Sequence, residues 1–146
     1  MREVAILLIE DNPDDEALVM RALKKANMAN KMDIARDGAE ALDLIFGTGV
    51  HQGRGVACPT VILLDIKLPK VDGIEVLKRI RGDDRTKHLP VVMLTSSDEQ
   101  EDILKSYDLG ANSYVRKPVE FGQFSETVAQ LGLYWLLLNE PPPRAG

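Results

Sequence analysis

A single cysteine, Cys58, stands among 146 residues, so no intrachain disulfide can form and the chain suits a reducing compartment. No block of lysine or arginine marks a helix built to read nucleic acid. Lys and Arg number 18 against 23 Asp and Glu, and the formal net charge of −5 leaves no general basic face for phosphate attraction. Long hydrophobic runs are also missing. The stretch from Val4 to Ile9 is bracketed by Glu3 and Glu10 and lacks a small-residue cleavage site, so it is expected to be a buried strand of a cytoplasmic protein. Residues 47–59 are rich in glycine but lack the GxGxxG spacing, and they follow a helical pattern. They are expected to form a flexible connection, with Cys58 a small loop residue before Pro59. His51 and His88 are expected on the surface, outside any metal or phosphohistidine context.

What is present is a composition of 45% apolar and 28% charged residues, the size and balance of one globular domain with a real core. Short β-branched runs alternate with amphipathic stretches. Residues 4–10 read as a first strand. Asn12 and Pro13 then supply an N-cap and a first helical residue, and Asp14, Asp15 and Glu16 sit where the helix dipole favours acids. Ala17, Leu18, Ala22 and Leu23 are the expected buried face. Residues 32–36 alternate like an edge strand, and Asp37-Gly38-Ala39-Glu40 reads as a capping box. A buried strand at 60–64 ends at Asp65, and a helix from Asp72-Gly73 buries Ile74, Val76, Leu77 and Ile80. A strand at 90–94 ends at Thr95, a helix runs from an Asp98 cap to Leu109, and Gly110 stops it. A strand at 113–116 ends at Lys117-Pro118, and a last helix begins near Glu120.

Five βα units with continuously apolar strands imply a parallel sheet covered on both faces. The edge-like second strand favours the order 2-1-3-4-5, which puts a ligand site at the carboxyl ends of strands one and three. Glu10, Asp11, Asp65, Thr95 and Lys117 all fall at strand ends on that one edge. Carboxylates gathered there repel one another unless a hard divalent cation intervenes. Mg2+ suits a few carboxylates, a carbonyl and retained waters. The expected ligands are Asp11, Asp65 and the backbone carbonyl of Lys67, with Glu10 acting through water. Asp65 can attack phosphorus to form an aspartyl phosphate, Lys117 can pair with a phosphate oxygen, and Thr95 can donate its hydroxyl to another. Taken singly, each has a bland reading: turn former, strand residue, solvated lysine. Four independent strand ends with suitable residues are hard to assign to chance.

At these residues the chain resembles the receiver domains of two-component response regulators. The resemblance rests on Ile9-Glu10-Asp11, Asp65-Ile66-Lys67-Leu68-Pro69 with Asp72-Gly73, Leu94-Thr95-Ser96 and Lys117-Pro118. It implies a flavodoxin-like (βα)5 fold, Mg2+ dependence, phosphorylation of Asp65 by a histidine kinase, and a cis peptide before Pro118. The loop 47–59, the stretch 106–112 and Tyr134-Trp135-Leu136 look like the stand-alone receivers that serve bacterial phytochrome-type histidine kinases. Glu10 departs from the commoner Asp, and its longer side chain still reaches the metal waters.

The receiver is expected to span residues 1–139, with 140–146 a disordered tail and no output domain attached. Phosphorylation would draw Thr95 toward the phosphate and let Tyr114 rotate inward, changing the face formed by the fourth helix, fifth strand and fifth helix. The apolar end at 134–138 fits a homodimer through that face, or packing on the chain's own loops. Two other readings compete: a phosphorylation-independent interaction module, and a phosphorelay intermediate. A hydrolase is disfavoured, because Lys67 stands where such chemistry commonly wants a second acid. Only slow self-dephosphorylation is expected.

Overall fold

Strand residues that are apolar on both sides need cover on both sides, and the chain supplies it. The computed structural model describes residues 2–25, 32–53, 55–95 and 100–116, with positions 122, 126 and 130. The elements run β1 (Arg2–Ile9), α1 (Pro13–Lys25), β2 (Met32–Ala35), α2 (Gly38–Phe46), β3 (Ala57–Leu64), α3 (Gly73–Gly82), β4 (Val91–Thr95), α4 (Gln100–Asp108) and β5 (Ser113–Arg116). All pairings are parallel and the order is β2-β1-β3-β4-β5. The expected α/β architecture and strand order are therefore observed.

The period-two geometry of a strand divides the core into two layers. Leu7, Ile9, Ile62, Leu64, Val91 and Met93 pack with Leu44 and Ile45 of α2 and Val76, Leu77 and Ile80 of α3. Ile6, Leu8, Val61, Leu63 and Val92 point the other way, against Val19, Ala22 and Leu23 of α1. Among the described residues, no helix is long and apolar enough to cross a membrane.

Local chemistry sets the element boundaries. Asn12 Oδ1 accepts from the Asp14 and Asp15 amides at 2.9 and 3.2 Å, starting α1. The capping box at α2 is shifted by one residue: Asp37 accepts from the Glu40 amide at 2.7 Å, while Glu40 reaches back to the Arg36 amide at 3.2 Å. Asp72 caps α3 through the Glu75 amide at 2.9 Å. Gly110 ends the α4 turn at φ 91°, a conformation that glycine adopts without strain.

Two expectations need correction. Cys58 and Pro59 lie within β3, not in the preceding loop, and that loop contains a 3-10 turn at Gly49–His51. β4 first pairs with β3 at Ile62, so near Pro59 the strand is paired with β1 alone among the described strands, the kind of edge where proline is tolerated. On α1, Val19 rather than Ala17 is buried. The face that meets the sheet carries Leu18, Val19, Ala22 and Leu23, and Ala17 turns to solvent. The Asp98 cap, Lys117, Pro118, the residues from 131 onward and most of the expected last helix lie outside the described residues.

At the sheet edge opposite the acidic strand ends, Arg81 ties three segments together. Its guanidinium donates to the carbonyls of Leu89 at 2.7 Å, Gly110 at 2.8 and 2.9 Å and Lys87 at 3.2 Å, and to Asn112 Oδ1 at 3.0 Å. Asn112 in turn exchanges two bonds with the Val91 backbone, at 2.8 Å each. Burial lowers the Arg81 pKa from its ordinary value, but these carbonyls still hold a charged donor. Arg81→Ala is expected to cost about 2–3 kcal/mol in urea unfolding, because charge-assisted bonds are lost and carbonyls are left unpaired.

Candidate functional site

The topology places the site. From β1 the chain turns to β2 on one side, while β3 leads away to β4 on the other, so a crevice opens at the carboxyl ends of β1 and β3. Ile9 lies in register with Leu64, which makes Glu10 and Asp65 the next residues on adjacent strands. Backbone bonds pin both: the Asp65 amide donates to Ile9 O at 3.1 Å and the Glu10 amide to Ala35 O at 2.9 Å.

The carboxylates of Glu10, Asp11 and Asp65 meet there, with one oxygen from each within 4.8 Å of the others. Glu10 is 1% exposed and Asp65 7% exposed, whereas Asp11 opens to solvent. At that spacing two unit charges repel by roughly 3 kcal/mol in a medium of effective dielectric about 20. The amides of Asn12 and Lys67 each approach a carboxylate oxygen, of Glu10 and Asp65 respectively, at 3.4 Å. An all-oxygen, anionic, half-open donor set of this kind fits a hard divalent cation.

An open cleft of about 530 Å³ runs from Asp11 past Lys67 and Asp72 to Asp102 and Lys105 of α4. Asp102 and Lys105 carried no signal in the sequence, since only the docking of α4 beside the loop brings them to the cleft. Of the other expected site residues, Thr95 ends β4 on the same sheet edge, and Tyr114 is half-buried on β5 against the α2–α3 layer of the core. Lys67 is exposed. Lys117 and Pro118 are outside the described residues.

The loop returning from Asp65 is held by close backbone contact. The Gly73 amide donates to Ile66 O at 2.7 Å, and a Cβ on Gly73 would lie 1.9 Å from Asp65 O. The glycine is therefore required by proximity. It lets α3 begin directly against the acidic loop.

Known proteins are similar in sequence and fold. The profile of the response regulator receiver domain matches residues 6–129. A probable methanogenesis regulatory protein, FilR2 of Methanothrix harundinacea, is 40% identical over 137 residues, covering 94% of this chain and 86% of FilR2. The bacteriophytochrome response regulator AtBRR is 52% identical, with 96% of this chain and 100% of that one covered and a TM-score of 0.74. The phosphorylated cyanobacterial phytochrome response regulator RcpA superimposes with a TM-score of 0.88 at 35% identity, over 97% and 100% of the two chains. The Mn(2+)-bound form of response regulator Rcp1 gives 0.86 at 34% identity, over 96% and 99%. With its sheet order, its acidic crevice and these matches in agreement, the chain belongs to the response regulator receiver domain family, whose function is to accept a phosphoryl group.

Proposed function

We propose that Asp65 is the phosphoacceptor and that a histidine kinase of the phytochrome type is the donor. The supporting observation is the meeting of the Glu10, Asp11 and Asp65 carboxylates at the ends of adjacent strands. An Asp65 carboxylate oxygen attacks the phosphorus of the donor phosphohistidine. An O–P bond forms, the P–N bond breaks, and the imidazole leaves with the electron pair. Asp11, Asp65 and the Lys67 carbonyl would hold Mg2+, with Glu10 acting through water. The cation would offset negative charge on the transferring group. Lys117 and Thr95 serve as the cation and hydroxyl donor for phosphate oxygens.

The phosphorylated form then favours a conformation in which Thr95 moves toward the phosphate and Tyr114 turns inward. The readout is a protein contact at the face of α4, β5 and the last helix, either with a second copy of this chain or with an onward phosphotransfer partner. In this reading residues 1–139 form the receiver, 140–146 its tail, and the protein works in the cytoplasm as a switch with slow self-dephosphorylation.

Incubation with a small phosphodonor tests the proposal. Intact-protein mass spectrometry should show a gain of one phosphoryl group with Mg2+ present and none when EDTA replaces it. No gain in either condition would leave the phosphorylation-independent interaction module as the better account.

A further inference from the structure

The loop that carries Asp65 is braced from a side the phosphoryl group never touches. Within it, the Leu68 amide bonds to Ile66 O at 3.1 Å, Val71 to Pro69 O at 2.8 Å, and Gly73 to Ile66 O at 2.7 Å. A displacement at residues 69–71 is thereby carried back to 65–67. The outer side rests on the first turn of α2. The Gly38 amide donates to Pro69 O at 3.2 Å, and a Cβ on Gly38 would fall 1.6 Å from Val71 O.

Asp37 joins the two elements with both of its oxygens. Oδ1 caps α2 through the Glu40 amide at 2.7 Å, and Oδ2 lies 3.5 Å from Lys70 Nζ. Lys70 has a φ of 69° and is the one non-glycine residue with positive φ among the described residues. A lysine is strained in that conformation and a glycine is not. Its side chain therefore offers something that a glycine at this turn would lack.

We infer that Asp37 and Lys70 are a positioning pair: they lock residues 65–72 to the N-terminus of α2 and so set the affinity of the acidic crevice for a divalent cation. The inference rests on the reading of Glu10, Asp11 and Asp65 as that cation's site. The Lys70 side chain is 69% exposed and that of Asp37 18% exposed, so the effect is modest and should shrink as salt rises.

The test is calorimetric titration of Mg2+ and of Mn2+ into the wild-type chain, Asp37→Ser, Lys70→Asn and the double variant. Serine keeps a cap on α2 and asparagine tolerates the left-handed turn, so each substitution removes the ion pair with little else. Each single variant should bind about threefold more weakly at low salt, the share a surface pair can carry. The double variant should bind no more weakly than either single one. Unfolding midpoints in EDTA should not track the affinity loss. Wild-type affinity in both single variants would overturn the inference, as would multiplicative losses in the double variant. A loss confined to Asp37→Ser and matched by lower stability would overturn it too, by reducing Asp37 to a helix cap. A wild-type chain that binds neither cation would instead overturn the acidic-site reading itself, and this inference with it.

Discussion

Asp65→Asn should abolish labelling by a phosphodonor while making the cation-free protein more stable. The amide is a poor nucleophile toward phosphorus, so the loss of transfer is complete. The gain in stability has a separate cause. Asp65 is 7% exposed and shares its crevice with two further carboxylates, one oxygen of each within 4.8 Å of the others. Removing one charge should relieve about 1–2 kcal/mol, a fraction of the Coulomb repulsion at that separation. Mg2+ should then stabilise the wild type, by about 1.4 kcal/mol at ten times its dissociation constant, and the variant much less. Urea unfolding with and without Mg2+ reads both effects. A variant less stable than the wild type in EDTA would mean that other groups already neutralise the cluster.

Gly73→Ala should slow transfer without abolishing it and be far worse for the fold. A methyl at Gly73 would lie 1.9 Å from Asp65 O and 2.8 Å from Ile66 Cα, and both are backbone atoms that cannot swing aside. Either α3 retreats or the loop lifts away from the crevice. Overpacking of this kind costs about 3 kcal/mol. A shift of about 1 Å in Asp65 would slow transfer by about 100-fold, because the attacking oxygen must be aligned with the phosphorus. Unchanged transfer kinetics in a folded Gly73→Ala protein would show that the start of α3 does not fix the acceptor.

Much of this site could be read from the sequence because strand ends are local signals. Glu10 and Asp65 each follow an apolar run, and a parallel sheet sends all such ends to one edge, so their meeting follows from topology. Caps were equally legible, since Asn12, Asp37 and Asp72 act within three residues of themselves. Other features depend on tertiary proximity. Nothing local marks Arg81 as a bridge to Gly110 and Asn112, about thirty positions away. Lys70 gives no sign of its left-handed turn, because the usual marker there is glycine. Pro59 argued for a loop, yet it sits in a strand whose second neighbour has not begun. Ala17 and Val19 are both apolar, and only the docking angle of α1 decides which is buried.

In the proposed function one carboxylate, that of Asp65, becomes the acyl phosphate. Borohydride reduction of the phosphorylated protein turns the modified aspartate into homoserine, and peptide mapping locates it. Homoserine is expected at position 65 alone, and none without Mg2+. Homoserine at Asp11 or Asp72, with Asp65 intact, would contradict it.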